Sequence, residues 1–243
     1  MKHLKTFIGA LALFAALSCT KNHAEVKGQV SFSVANDPSV EEVTKSNVSD
    51  FTALPATGDF IITITDASDA LVWEGKLSEW DPAYPLTAGD YSVEAVYGNL
   101  EDEGFGKPYF VGSQTFKVIG GETTSVSMQV YLENTIVRIS CSDYFRKYYT
   151  GYTFKLTRDG ADVVTFAKDE TRAAFIDGYK ITVEGTLTSE TKTQTFSTSY
   201  NNLDEGTAYT IAFHAVNVGG STITISFNDE VVEVPLGNFE LND

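Results

Sequence analysis

The sequence predicts an all-β chain of two tandem antiparallel β-sandwich domains, on three observations. Helical period is almost absent after residue 24, strand alternation recurs at short spacing between Gly, Asn and Asp turns, and the second half echoes the first. A first strand is predicted where Val30, Phe32 and Val34 share a face, and a second where Phe60, Ile62 and Ile64 do. Between them, Ala35 to Asp59 is rich in Ser, Thr, Asn, Asp and Pro and reads as a long surface insertion. Further on, Tyr91, Val93, Ala95 and Tyr97 alternate with polar residues. Thr115 to Val118 then leads through Gly120-Gly121 to Val126, Met128 and Val130. Such patterns fit antiparallel strands with one wet face.

Each sandwich is expected to be immunoglobulin-like or transthyretin-like. Leu86 to Tyr91 has a tyrosine-corner pattern, which gives the Tyr91 hydroxyl a structural role at a sandwich corner. Trp73 is expected on one strand face with Leu71, in the core. The internal echo pairs FIITITD (60–66) with FKLTRD (154–159), GDYSVEA (89–95) with GYKITVE (178–184), and Gln114-Thr115-Phe116 with Gln194-Thr195-Phe196. The expected organisation is a signal peptide over 1–18, a lipidated cysteine and tether over 19–27, and two sandwiches. The first sandwich covers 28–132 with its insertion at 35–59, and the second covers 133–243.

The N-terminus has signal-peptide anatomy. Lys2 and Lys5 precede the uncharged apolar run Phe7 to Leu17, which ends at small Ser18 and then Cys19. A membrane-spanning helix needs roughly 20 apolar residues, and polar Thr20 to His23 follow this shorter run at once. Composition then narrows the partners. Removing residues 1–18 takes away Lys2 and Lys5 and no acid, so the formal charge moves from −16 to −18. A body this acidic repels phosphate and anionic headgroups, which argues against nucleic acid as a partner. Arginines occur only at 138, 146, 158 and 172.

Catalytic patterns are missing. The sequence holds no HExxH, Cys-x-x-Cys, GxSxG, Walker-type or GxGxxG motif. After Cys19 the histidines are His23 in the tether and His214 in an apolar run, where a structural role is expected. Cys141 lies on one strand face with Val137 and Ile139 and reads as a buried structural thiol. Glu101-Asp102-Glu103 and Asp66 with Asp69 read as solvated turns, with calcium binding as the next reading. No catalytic residue, metal ligand or cofactor is assigned.

Aromatic residues supply the best candidate contact. Trp80 and Tyr84 lie in Ser78 to Pro85, where Pro82 and Pro85 argue against a central strand, and exposed rings beside carboxylates would suit a sugar ring. Capping of the first sandwich is the other reading of the same pair. Tyr144, Phe145, Tyr148, Tyr149 and Tyr152 are read as a domain seam or a partner surface.

Leu13 to Cys19 resembles the lipobox of bacterial lipoproteins. That resemblance implies a diacylglyceryl group on the Cys19 thiol, cleavage after Ser18, and a protein held in the membrane by acyl chains. Thr20 in place of aspartate after the cysteine implies passage to the outer membrane, with either face open. Together with Gly28 to Val34, FIITITD, Ala88 to Gly98, Lys107 to Val118 and Leu132 to Ser140, the chain resembles a lipoprotein family of gut Bacteroidetes known only as a domain of unknown function. More distantly it resembles fimbrillin-type pilus subunits, which are cut after an arginine; here no arginine precedes Arg138. The expected function is non-enzymatic, by adhesion or assembly at the envelope, with a glycan or protein partner. A carbohydrate-binding lipoprotein and a fimbrial anchor or tip subunit are the alternatives.

Overall fold

A computed structural model describes residues 26–36, 39–40, 46–215, 222–227 and 230–235; Cys19 and the predicted signal peptide lie outside the described residues. The first half carries β1 (Lys27–Asn36), β2 (Ser39–Val40), β3 (Ser46–Asn47), β4 (Ile61–Asp66), β5 (Leu71–Lys76), β6 (Leu86–Thr87), β7 (Gly89–Tyr97), β8 (Gly104–Phe105), β9 (Phe110–Val118) and β10 (Thr123–Leu132). The second half carries β11 (Thr135–Cys141), α1 (Asp143–Tyr148), β12 (Gly151–Arg158), β13 (Ala161–Phe166), β14 (Ala174–Ile176), β15 (Lys180–Thr188), β16 (Thr193–Asn201), β17 (Ala208–Ala215), β18 (Thr222–Phe227) and β19 (Glu230–Pro235). The fold is all-β and sandwich-like, as the alternation predicts.

In the first half, strands run in the order β5-β4-β7-β9-β10-β1-β6. β9 and β10 are paired only where Phe110 and Val111 meet Leu132 and Tyr131. Elsewhere they splay, so the set folds into two layers over one core of Val30, Phe60, Ile62, Ile64, Val93, Ala95, Phe110, Met128 and Val130. Next to that short pairing the two strands approach closely at Gly112, where a Cβ would lie 2.2 Å from the Gln129 carbonyl oxygen. One pairing departs from the antiparallel expectation. β1 runs parallel to β10 over eight positions, from Gln29 opposite Thr123 to Asn36 opposite Val130.

The second half repeats most of this plan and adds the hairpin β18–β19, which pairs on the free side of β17 and has no counterpart among the described residues of the first half. β13-β12-β15-β16 matches β5-β4-β7-β9, β11 runs parallel to β17, and β11 pairs with β14 as β1 pairs with β6. Both copies even carry a bulge at one place, after Ile64 in β4 and after Leu156 in β12. Aligning the bulges makes the ladder Ile62–Ala95–Gly112 equivalent to Phe154–Gly185–Phe196. The sequence echo therefore finds the right strands in the wrong register, by one to four residues. Volume is exchanged between the copies: the Phe196 ring lies over Gly185, where a Cβ would be 1.9 Å away, and so fills the space that Ala95 occupies in the first copy.

The first bulge also corrects the placement of Leu71. Ile64 opposes Trp73 while Thr65 opposes Leu71, so the extra Val72 puts Leu71 and Trp73 on opposite faces. Trp73 packs against the core and Leu71 is 61% exposed. The 35–59 segment is corrected at its end as well, because Val48 is fully buried in the first core and Phe51 packs on it. The aromatic group at 144–152 is mostly core: Phe145, Tyr149 and Tyr152 are buried in the second core and Tyr148 packs on it, while Tyr144 is 69% exposed. Ser142 caps the short helix α1 by accepting from the Phe145 N–H at 3.3 Å.

Between the halves lies a layer with both faces covered. In β14 and its lead-in, Ala173 and Phe175 face the first core while Ala174 and Ile176 face the second. Ile136 and Val137 of β11, and Ala208 and Tyr209 of β17, divide in the same way. The first half reaches over to this layer through β8, which pairs with β14.

Two outcomes follow from this packing. Gly112→Ala should destabilise the fold by about 1–3 kcal/mol in a denaturant titration, because the backbone carbonyl it meets cannot rotate away. Burial also pushes the Cys141 thiol and the Tyr149, Tyr152 and Tyr200 hydroxyls up to about 12. Folded pKa values above the unfolded ones mean that this stability is intact below pH 9 and is lost as pH rises toward 12. Thermal melts against pH should fall across that window, with phenolate absorbance appearing together with unfolding.

Candidate functional site

The aromatic cluster that the sequence singles out sits at one end of the first sandwich. The turn Leu77–Glu79 is hung from the core strand by the Leu77 N–H donating to the Phe60 carbonyl at 2.8 Å, and it delivers Trp80 inward. Trp80 is only 8% exposed, and its indole N–H donates to the Val30 carbonyl at 2.9 Å. Its ring meets Phe32 and Trp73 edge-on, each at 5.1 Å between centroids. Of the two readings of this ring, Trp80 takes the capping one, and the exposed platform does not form at Trp80. A large apolar ring with its one polar atom satisfied gains more in the core than on the surface.

Tyr84 stands differently. Asp81 caps its turn by accepting from the Ala83 N–H at 2.8 Å, and the Tyr84 ring leans on Trp80 at 5.5 Å with 39% of the residue exposed. From Trp80 the contacts continue through Phe32 and Phe116 to Tyr91, which stacks on Phe116 at 18°. The Tyr91 hydroxyl donates to the Thr87 carbonyl at 2.8 Å, which is the tyrosine corner expected from the sequence.

A groove of about 560 Å³ adjoins Tyr91, lined by Asp66, Asp69, Asp90, Phe116 and Lys117. One oxygen of Asp66 accepts from the Ser68 hydroxyl at 2.6 Å, the Ser68 N–H at 2.8 Å and the Ala70 N–H at 3.1 Å. Those donors hold its pKa below the ordinary carboxylate value, so it accepts hydrogen bonds and keeps no proton to give. In the same groove Lys117 lies 3.9 Å from Asp90.

At the seam, one acid expected in a solvated turn proves to be structural. Glu103 reaches across to the second half, where the Arg158 Nε lies 3.2 Å from it and the Asp177 N–H donates to it at 2.8 Å. Beside it, Phe105 meets Phe166 edge-on at 5.1 Å and carries the Arg172 guanidinium over its face at 4.4 Å. Asp102, by contrast, stays exposed and pairs with Lys107 at 2.7 Å. The buried Asn134 ties the junction: its side-chain oxygen accepts from the Tyr109 N–H and its carbonyl accepts from the Gly206 N–H.

The remaining candidates are quickly placed. Cys141 is a free, partly buried thiol whose burial keeps it protonated. His214 lies in β17 opposite Thr224. Among the described residues no group of three or more His, Cys, Asp or Glu is arranged to hold a metal ion. Among them, too, no helix is long and apolar enough to cross a membrane.

With this geometry in hand, comparison with known proteins places the chain. The domain of unknown function DUF4493 matches residues 26–243. The chain belongs to that family. Among curated proteins none matches it. Solved structures similar to this DUF4493 chain include a "putative adhesin" from Bacteroides thetaiotaomicron, 12% identical, covering 89% of this chain and 100% of that one at a TM-score of 0.49. A fimbrial assembly protein from Parabacteroides distasonis is 9% identical, covering 74% of this chain and 92% of that one at 0.46. A chain described as "putative polysaccharide binding proteins" from Bacteroides thetaiotaomicron is 12% identical, covering 85% and 98% at 0.45.

The seam contacts make a measurable prediction. Glu103→Gln and Arg158→Gln should each lower the unfolding free energy, and a double-mutant cycle should return a coupling of about 1–2 kcal/mol. Hydrogen exchange at Gly104 and Phe105 should quicken in both variants.

Proposed function

We propose that this chain is an exported lipoprotein held at the outer membrane by acyl chains on Cys19, and that it works without catalysis, by adhesion or assembly at the envelope. The observation that carries the reading is the lipobox at Leu13 to Cys19. Two or three acyl chains give lasting attachment where one gives only reversible binding. Downstream, the seam layer and the Glu103–Arg158 contact support a body that presents its surfaces in one fixed arrangement.

The other readings fare less well. A sugar platform made of Trp80 and Tyr84 loses its larger ring to the core. A fimbrial subunit that accepts a neighbour's strand needs a vacant strand position. Here β1 already fills the place between β10 and β6, and β11 lies between β17 and β14. An unprocessed anchor or tip remains compatible with this pairing, since it keeps its own β1.

Mass spectrometry of the chain recovered from bacterial membranes tests the proposal. The expected result is a mature N-terminus at Cys19 carrying a diacylglyceryl mass, lost together with membrane association in Cys19→Ala. An unmodified Cys19 in the membrane-free fraction would refute it.

A further inference from the structure

The outer face of the first sheet carries an apolar row that the fold does not require. Ile61, Val96, Val111 and Tyr131 lie directly opposite one another across β4, β7, β9 and β10. Ile61 is 38% and Tyr131 is 51% exposed, and Val96 and Val111 between them are partly exposed. The neighbouring row of the same face is Thr63, Glu94 and Ser113. So the face is otherwise a normal wet surface.

The second half serves as an internal control. By the alignment that superimposes the two bulges, the positions of Ile61, Val96 and Val111 are taken by Thr153, Thr186 and Thr195, also directly opposite one another. The next row there is Lys155, Glu184 and Ser197, polar as in the first half. The same strands in the same order fold with hydroxyls at this place, so strand formation does not account for the methyl groups. An apolar row held at fixed spacing on an otherwise polar face is a candidate interaction surface.

The surroundings indicate what would cover the row. A cavity of about 390 Å³ opens beside Ile61 and Val96, bounded by Asp59, Asn99, Asp102 and Lys107. Lys76, directly opposite Ile61 on β5, ends the row and pairs with Asp59 at 3.5 Å, and Lys107 pairs with Asp102. Glu94 and Glu133 flank the row, and among the described residues neither is paired with a Lys or Arg; burial and the neighbouring Glu205 raise the Glu133 carboxyl above its ordinary value. Burial, Glu94 and Glu133 together raise the Tyr109 hydroxyl above its ordinary value. The patch is apolar at the centre and acidic at the rim. A second copy of this chain, at −16, would bring like charge to it.

We propose that the row Ile61–Val96–Val111–Tyr131 docks a partner protein presenting apolar side chains bordered by Lys or Arg. The inference rests on the reading of the chain as a non-catalytic binding protein. It names the surface and the chemistry of the partner.

The test uses the full-length chain purified in detergent, titrated with synthetic eight-residue peptides that alternate Leu with Lys, Leu with Glu, or Ser with Lys. Val96→Thr with Val111→Thr installs the residues that the second half already folds with, and it leaves the charge unchanged. Tyr131→Thr provides a second variant at an exposed position. The Leu-Lys peptide should bind the natural chain, with affinity falling tenfold or more in either variant, while the other two peptides bind weakly. Equal affinity for natural and variant chains would overturn the inference, as would equal binding of the Ser-Lys peptide. So would a dimer in sedimentation equilibrium that the Thr substitutions dissolve, since the occupant would then be a second copy. None of these readings depends on Cys19, so a failure here leaves the lipoprotein proposal standing.

Discussion

The layer formed by β11, β14 and β17 has both faces buried at the seam, and the arrangement of the rest of the molecule depends on it. A strand covered on one side can alternate apolar and polar residues, but one covered on both sides must be apolar throughout. Ala173-Ala174-Phe175-Ile176 and Ile136-Val137 meet that demand, with successive residues sent to different cores. Pulling the halves apart would strip one face of this layer, and each side chain as large as Phe175 or Ile136 would lose about 1.5–3 kcal/mol of burial. Polar contacts at the rim, from Glu103 to Arg158 and from Asn134 to Tyr109, fix the orientation of what the apolar layer holds together.

Two copies of one plan in one chain let the fold separate structural from other demands. Inside, the copies differ by compensation: Ala95 opposite Gly112 in one becomes Gly185 opposite Phe196 in the other, and the space is filled either way. Outside, the change from Thr186 and Thr195 to Val96 and Val111 has no compensating partner. Interior packing fixes total volume and not the individual side chains, so paired changes there are expected. An unpaired change toward apolar residues on a wet face works against solubility unless something covers it.

Much of this architecture was legible in the sequence, because alternation reports strands directly. The tyrosine corner was legible too, since Leu86 to Tyr91 is local in sequence. Register was not. A slip of two residues preserves the face, so matching Phe60 to Phe154 satisfies the pattern as well as the correct match of Ile62 to Phe154. Leu71 was misplaced because a bulge at Val72 leaves no mark on a run of apolar residues. Glu103 was misplaced, and Trp80 stood open between platform and cap, for a related reason: their turns look like surface by composition, and only long-range partners, Arg158 and the Val30 carbonyl, make them structural. The parallel pairing of β1 with β10 joins residues almost a hundred positions apart, beyond the reach of any local signal.

Charge and apolar surface divide the work of recognition between them. At a Debye length of about 8 Å in physiological salt, the net negative charge acts on an approaching partner mainly close to the surface, where it disfavours anionic headgroups and phosphate. Such a field discriminates among partners by sign and says little about shape. The apolar row supplies what the field lacks, because it is short-ranged and is held by the sheet at fixed spacing. The acidic rim of Glu94 and Glu133 then selects, among apolar surfaces, those that bring positive charge to those two places. A binding face built this way needs a body whose parts do not move against one another, and the doubly buried layer at the seam provides it.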